Sequence, residues 1–441
     1  MFGTSGIRGE YGGSVTAALA LDVGRAVASE GANRVVVGRD PRKTGPVLAD
    51  ALAAGLRECG ANVVRLGRVA TPTVARAVQW YDADAGIAVT ASHNPPADNG
   101  VKLYDSTGRA IVGERAEAVV SRIQRRDYDV CAWNEIGGVR HVSNATRRHV
   151  DALSADRDLD VRAVVDAGNG TGWFVADVLR RAGCRVDTLN AEPDGAFPSR
   201  PSEPTAANCT GLADAVAATA ADFGVAHDAD ADRAMAVTES GRFVPGDVLL
   251  AVFARAAANP GDTVAVPIDT SMAVADAVGE VGATTTYTRV GDGYVAARAT
   301  DDGVVFGGEP SGAWVWPDES PCPDGALAAL KLAELVADEG ALSGLAADVS
   351  RRPLRRESVE TNERRDVVEH VRDRVADRYA NVTNVDGVRV DVENGWFLVR
   401  ASGTEPLVRI TAEASDEAAM TALFRTARDL VDGAVADVGN A

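Results

Sequence analysis

The sequence predicts an α/β protein of four domains: three similar α/β units, each a mostly parallel sheet covered by helices, and a C-terminal α+β domain. Three observations carry this. The chain has 441 residues, more than a single hydrophobic core organises. Short apolar strand patterns alternate with helical ones in a β-α-β order that recurs three times. Beyond about residue 356 that order breaks, and a charged helical pattern leads into alternating strands.

In the first unit, "RVVVGRD" (34–40) predicts a strand, "GPVLADALAAGLRECG" (45–60) a helix, "NVVRLG" (62–67) a strand, "TPTVARAVQWY" (71–81) a helix and "AGIAVTAS" (85–92) a buried strand. The order returns in "RAVVDAG" (162–168), "GWFVADVLRRAG" (172–183), "RVDTLN" (185–190), "GLADAVAATA" (211–220) and "FGVAHDAD" (223–230). It returns again in "DTVAVPID" (262–269), "SMAVADAVGEVG" (271–282), "TTTYTRV" (284–290), a helix near 293–300 and "VVFGG" (304–308). Units of roughly 100 residues in one repeated order suggest a triplicated architecture. In the last unit "NERRDVVEHVRDRVADRYA" (362–380) predicts a helix, Asn394-Gly395 a hairpin turn, "LVRITAEA" (407–414) a strand and 416–435 a helix. "RRPLRRESVE" (351–360) reads as a linker, and the expected domains are 1–150, 151–246, 247–355 and 356–441.

With 46% hydrophobic and 25% charged residues, the composition is that of a soluble globular protein. No apolar run reaches the ~18 residues of a membrane span, and "MFGTSGIRGEYGG" has no basic flank or apolar signal core. Five scattered cysteines, without a CxxC, fit reduced thiols, and a cytoplasmic protein is expected, as monomer or homodimer. A net charge of −19 argues against a nucleic-acid-binding face and leaves small molecules as the expected partners. Lysine occurs only at Lys43, Lys102 and Lys331, against 42 arginines. An acidic, lysine-poor chain suits a high-salt cytoplasm, and a GC-rich genome would leave the same arginine bias. Where lysine is kept, a compact ammonium has a reason to be there. Lys331, in the helical "DGALAALK", reads as structural.

In parallel sheets chemistry gathers beyond the carboxyl ends of strands, and four loops there stand out. In "VTASHNPPADNGVKLY" (89–104), Ser92 ends an apolar strand before a stiff Asn-Pro-Pro segment that would present its hydroxyl to solvent. A nucleophile and a plain turn are equal readings. Ser92 has no evident triad base and no GxSxG elbow, so phosphoryl carriage suits it better than hydrolysis if a metal and phosphate clamps lie elsewhere. "HDADADRA" (227–234) puts Asp228, Asp230 and Asp232 at alternate positions, a spacing that converges three carboxylates on one hard cation. Against an EF-hand, Arg233 occupies the position that needs glycine and "AMAVT" reads as a strand, although Glu239 falls at the twelfth position. An aspartyl phosphatase would leave the third acid unexplained, and a solvated acidic loop is the bland alternative. "GGEPSGAW" (307–314) offers Glu309 and Ser311 to vicinal hydroxyls. "RASGTEPLVR" (400–409) offers Arg400, Ser402, Gly403, Thr404 and Arg409 as a phosphate cradle, or a capped turn.

Together these loops resemble the α-D-phosphohexomutase superfamily of phosphoglucomutase, phosphomannomutase and phosphoglucosamine mutase. "GTSGIRG", "GRDPR", "TASHNPP..NGVK", "DADADR", "GGEPSG" and "SGTEP" stand in the family's order along the whole chain. The resemblance implies three alike α/β/α sandwich domains and a distinct fourth around a central cleft. It implies that Ser92 carries the phosphoryl group, that Asp228, Asp230, Asp232 and the phosphoserine oxygen bind one Mg²⁺, and that Lys102 and Arg8 move protons at the sugar hydroxyl. His93 and Arg233 would support metal and phosphoserine. Glu309 and Ser311 would hold sugar hydroxyls, "TRVGD" (288–292) would distinguish their orientation, and Arg400, Ser402, Gly403 and Thr404 would clamp the phosphate not being transferred, with Arg409 beyond. A desolvated Lys102 is expected to have a lowered pKa that suits a proton shuttle. Lys43 adds charge near the phosphate or is a surface lysine.

The implied reaction interconverts hexose or hexosamine 6- and 1-phosphates through a sugar 1,6-bisphosphate, which is intermediate and activator. Glucosamine phosphate is the first expectation for the sugar, then glucose or mannose phosphate. Ala229, where the family has glycine, and Ala313, where it has histidine, are departures, and "PDESPCPDGA" (317–326) is long. They keep a non-catalytic sugar-phosphate-binding protein, and less strongly a Mg²⁺-dependent phosphatase, as alternatives.

Overall fold

The computed structural model of the chain describes residues 6–154, 157–403 and 406–438. Among these residues the strands form four sheets. The first is built from β1 (Ile7–Glu10), β2 (Arg34–Arg39), β3 (Asn62–Arg68), β4 (Ala85–Val89), β5 (Asp98–Asp105) and β6 (Val139–His141), in the order β1-β5-β4-β2-β3-β6. β7 (Arg162–Asp166), β8 (Arg185–Leu189), β9 (Phe223–His227) and β10 (Ala234–Thr238) form the second, in the order β10-β9-β7-β8. β11 (Thr263–Pro267), β12 (Thr284–Thr288), β13 (Val304–Glu309) and β14 (Ala313–Val315) form the third, in the order β12-β11-β13-β14.

The three sheets share one four-strand plan. A first strand lies between the second and third, and a fourth returns antiparallel beside the third. The sheets are therefore mostly parallel, as the apolar runs predict, each with an antiparallel hairpin that those runs do not announce. The plan places three hairpin connections at equivalent points. Ser92 lies in the connection from β4 to β5, Asp228 to Asp232 in that from β9 to β10, and Ser311 in that from β13 to β14. The central strands are covered on both faces, which is why "RVVV" and "AGIAV" are unbroken apolar runs rather than alternating ones.

Helices α1 (Ala17–Ser29), α2 (Gly45–Glu58), α3 (Thr71–Trp80), α4 (Glu114–Arg125) and α5 (Ala145–Leu153) accompany the first sheet. α6 (Val175–Arg181) and α7 (Thr210–Thr219) accompany the second. α8 (Gly246–Ala257), α9 (Met272–Glu280), α10 (Asp292–Ala299), α11 (Gly325–Glu339) and α12 (Leu342–Ala347) accompany the third. The second and third units share one apolar core, in which Phe174, Phe223, Leu249, Phe306, Trp314 and Leu330 belong to a single cluster.

The fourth sheet is antiparallel, β15 (Leu354–Glu360), β16 (Val382–Thr383), β17 (Val388–Val392), β18 (Gly395–Ala401) and β19 (Leu407–Ala414), in the order β15-β19-β18-β17-β16. One face carries α13 (Arg364–Ala376) and α14 (Glu417–Val438) over Phe397, Val399 and Ile410. Alternate residues of β18, Trp396 and Leu398, point the other way and pack on Ile268 of the third unit. Glu413, fully buried at this junction, accepts from Ser271 Oγ, Met272 N–H and Trp396 Nε1–H.

Two expectations change here. The stretch read as a linker is, from Leu354, the strand β15, paired along its length with β19. Its charges mislead because an edge strand tolerates a polar outer face. The predicted hairpin is present, but its turn is Glu393-Asn394, since Val392 pairs with Gly395. Gly395 serves the sheet instead, because a Cβ there would stand 2.3 Å from the Glu413 carbonyl. No helix among the described residues is long and apolar enough to cross a membrane.

Candidate functional site

Ser92 follows β4 with φ of 51°, a left-handed conformation rare outside glycine and costly enough that its surroundings must hold it. They do. Thr90 Oγ1 accepts the Ser92 N–H at 2.8 Å and donates to Asp40 at 2.8 Å. Arg42, fully buried and paired with Asp40 at 2.9 Å, donates to the carbonyls of Ser92 at 2.8 Å, Asn94 at 2.7 Å and Asp98 at 2.9 Å, and also to that of Pro95. One guanidinium thus gathers the loop. The expectation that Ser92 faces solvent is overturned: it is fully buried because the β9–β10 loop lies over it, and its hydroxyl donates to Asp228 at 2.6 Å.

Asp228, Asp230 and Asp232 are all buried, and each offers one carboxylate oxygen within 4.8 Å of the others. The connection is a turn rather than an extended segment, with Ala231 left-handed at φ of 54°, and it brings the three side chains together. The substitution at 229 costs no such strain, since Ala229 lies outside the left-handed region. Thr71, the first residue of α3, donates to Asp230 at 2.6 Å, and Lys102 Nζ approaches Asp230 at 3.1 Å and Asp232 more closely. Asp230 Oδ1 and Asp232 Oδ1 are buried without a hydrogen-bond partner. Unpartnered buried carboxylate oxygens converging from one loop are a donor set that suits a hard, oxygen-preferring cation. The cluster can hold a metal ion.

The charges are unequal. Burial and the two neighbouring carboxylates drive Asp228 well above the ordinary range, and burial with Asp230 and Asp292, against Lys102, places Asp232 at about 6. Burial also acts upward on Asp230, but Lys102 and Thr71 outweigh it and hold that carboxyl below its ordinary value. For Lys102, burial is outweighed by Asp230 and Asp232, so its pKa lies above that of a free lysine. This corrects the expectation of a lowered pKa: the flanking carboxylates keep Lys102 an ammonium. His93 is pushed down to about 2 by burial and by Arg233, Arg8 and Lys102, so the imidazole is neutral.

Arg8, on β1 opposite Gly100, has Nε and one terminal nitrogen buried without a partner. Arg233 joins the metal loop to the third unit: its backbone bridges Ala313 and its N–H donates to Asp228 at 3.3 Å. Ala313 is itself buried, and Trp314 Nε1 donates to the Ala234 carbonyl at 2.7 Å. Glu309 accepts from Gly291 N–H at 2.6 Å and Ser311 Oγ at 3.0 Å, and burial with Asp292 raises its pKa to about 7. The "TRVGD" segment thereby meets the "GGEPSG" segment.

In the fourth unit Arg400 and Arg409 line a cavity of about 410 Å³ with Asp269, Arg356 and Thr411. Arg400 lies 3.9 Å from Asp269 and 3.7 Å from Asp386, not against the Ser92 cluster. Ser402 is buried and Gly403 exposed in the adjoining turn, while Thr404 lies outside the described residues. Lys43 is exposed just after Arg42.

Five contributors were not singled out in the sequence. Arg42 and Asp40 sat in the quoted "GRDPR". Thr71 had no signal beyond a threonine before proline. Ser202 accepts the Ala229 N–H at 3.0 Å and donates to the Ser92 carbonyl at 3.3 Å, tying the two loops together. Asp324, in the long loop, accepts from both His149 at 3.0 Å and Arg76 Nε at 2.9 Å, while Gly325 donates its N–H to the Ala231 carbonyl at 3.2 Å. A Cβ at 325 would fall 2.8 Å from that oxygen.

Family models match almost the entire chain: phosphoglucomutase/phosphomannomutase alpha/beta/alpha domain I over 1–129, domain II over 139–241, domain III over 245–352 and the C-terminal domain over 358–430. A protein of Methanococcoides burtonii named "Probable phosphoglucosamine mutase" is 42% identical over 438 residues, covering 99% of both chains. One of the same name from Methanopyrus kandleri is 45% identical over 428 residues, covering 94% of each. The crystal structure of a phosphoglucomutase/phosphomannomutase family protein from Burkholderia thailandensis superposes with a TM-score of 0.88 at 29% identity, covering 98% of this chain and 97% of that one.

Proposed function

The chain belongs to the phosphoglucomutase/phosphomannomutase family of α-D-phosphohexomutases, and on that premise we propose that it interconverts glucosamine 6-phosphate and glucosamine 1-phosphate, with glucose and mannose phosphates as next substrates. It is an intramolecular phosphotransferase of the isomerase class. The observation that carries the reading is the Ser92 hydroxyl, 2.6 Å from Asp228 at the edge of three convergent carboxylates.

Ser92 Oγ carries the phosphoryl group. A sugar hydroxyl forms its bond to phosphorus as the bond to Oγ breaks, giving the 1,6-bisphosphate. The proton lost by that hydroxyl ends on Ser92 Oγ, and Lys102, already an ammonium, gives one proton as it takes the other, with Arg8 beside it. Asp228, Asp230 and Asp232 would hold Mg²⁺, which when bound neutralises charge on the phosphoryl oxygens. Neutral His93 and buried Arg233 shape the same pocket. Glu309 and Ser311 bind sugar hydroxyls. Arg400, Ser402, Gly403, Thr404 and Arg409 hold the phosphate that stays, and Lys43 adds charge at the entrance. The bisphosphate turns over and its other phosphate returns to Ser92.

Ser92→Ala should lose nearly all turnover on the three sugar 1-phosphates, and intact mass should show one phosphate on the native chain but none on the variant. Full turnover by the variant would refute the mechanism.

A further inference from the structure

At the far end of the first sheet lies a cavity of about 690 Å³ that the proposed reaction does not use. Arg34 and Asn62, the first residues of β2 and β3, line it, whereas Ser92 follows the carboxyl end of the parallel neighbour β4. The length of these strands separates the two by roughly 20 Å. The remaining walls come from Trp80 and Tyr81 at the end of α3, Arg140 on β6 and Arg148 on α5.

The charge here runs against the net charge of the chain. The Arg34 guanidinium donates to the carbonyls of Tyr81 and Asp82, both at 3.1 Å. Arg148 donates to the Trp80 carbonyl at 3.3 Å and lies 5.1 Å over the Trp80 ring, and Arg140 lies 5.7 Å over Tyr81. Among the described residues, none of these three guanidiniums is paired with a carboxylate side chain. Elsewhere arginines such as Arg25, Arg42, Arg76 and Arg352 do pair with one. Asp82 is the one acid in the lining, so a concave surface of positive balance survives in a chain of net charge −19. Concave walls focus that field on an anion. Guanidiniums laid on aromatic rings also form flat, stackable surfaces for a planar group. The volume falls within the range of small-molecule sites, about 300–1,000 Å³.

We propose that this cavity binds a nucleoside diphosphate, its phosphates on Arg34, Arg140 and Arg148 and its base against the Trp80–Tyr81 wall, and that the bound nucleotide tunes turnover. The route to the active site is structural. The Trp80 ring stands edge-on to His149 at 6.4 Å, and His149 bonds both Thr73 and Asp324. The opposite end of the same helix holds Asp230 through Thr71.

The test titrates the full-length protein, without magnesium and at about 0.1 M salt, with ADP, UDP, adenosine and pyrophosphate. Binding is read directly, so the outcome does not depend on which sugar the enzyme turns over. ADP or UDP should bind with a submillimolar Kd, and adenosine and pyrophosphate each at least tenfold more weakly. Arg140→Glu and Arg148→Glu should each weaken nucleotide binding at least tenfold while keeping turnover measured without nucleotide. Saturating glucosamine 1-phosphate should not displace the nucleotide, and saturating nucleotide should change kcat or KM of the native enzyme but not of Arg140→Glu. The proposal is overturned by absent binding, by pyrophosphate binding as well as ADP, by displacement with the sugar phosphate, by unchanged affinity in both variants, or by turnover indifferent to bound nucleotide.

Discussion

Replacing Arg42 by methionine should loosen the Ser92 loop more than any other single change outside the carboxylate cluster. The guanidinium is fully buried, pairs with buried Asp40 at 2.9 Å and donates to the carbonyls of four loop residues between Ser92 and Asp98. Removing one partner of a buried ion pair costs about 3–5 kcal/mol, since the other charge is left without compensation. Burial already holds the Asp40 carboxyl above its ordinary pKa against the pull of Arg42, so in the variant it takes up a proton and part of that cost is relieved. Asn94 and Pro95 are partly exposed and can turn to water. The lower figure is therefore the expectation, about 3 kcal/mol, or roughly a hundredfold in a local opening equilibrium. Hydrogen exchange reads this directly. The Asn94 and Asp98 amides, bonded to the carbonyls of Ala91 and Pro95, should exchange about a hundred times faster. Amides of α14 serve as an internal reference and should not change. Arg42→Met combined with Asp40→Leu should recover part of the protection, because no unpaired carboxyl remains. Less than a fivefold acceleration at Asn94 and Asp98, with α14 unchanged, would refute the clamp.

Thr71→Val removes the 2.6 Å donor to Asp230 and should raise the magnesium concentration for half-maximal velocity about 10- to 100-fold, as losses of ligand-orienting partners do; an unchanged magnesium dependence would remove Thr71 from the site. Glu309, ordinarily near 4.5 but at about 7 when buried, binds an extra proton in the folded state between those values. Stability of the ligand-free enzyme should therefore fall as pH rises through that window, and Glu309→Gln should flatten the fall; thermal midpoints of native and variant that stay parallel from pH ~5 to ~8 would contradict this. Asp324→Ala strips partners from His149 and Arg76 and the cap from the first turn of α11, a cost of about 3–5 kcal/mol that a thermal scan should show as a clear drop, and an unshifted midpoint would mean the network carries no weight.

The strands that were legible are those buried on both faces. "RVVV", "AGIAV" and "FGVAH" need no context to be read, because burial makes them continuously apolar. β15 hid behind "RRES", since an edge strand shows its charges to solvent, and β6, only three exposed residues, left no apolar trace. At the site, Ser92 and the three aspartates were readable because each chemical group lies within one short loop. Their supports were not. Thr71 meets Asp230 across 159 positions, Arg76 meets Asp324 across 248, and Ser202 meets Ser92 across 110. Such contacts exist only once the three hairpins are brought together. The pKa of Lys102 was misread for the same reason: desolvation can be guessed from a buried strand, but the two carboxylates that outweigh it arrive from another sheet.

The twisted backbone at position 92 also restricts which alcohol can serve there. Threonine offers an equally good hydroxyl, but its branched Cβ crowds the positive-φ region, where serine is already uncommon. Strain of about 1–3 kcal/mol would be released by unwinding the loop, swinging the oxygen away from its acid neighbours. In the proposed reaction, chain shape, before reactivity, decides which side chain ferries the phosphate.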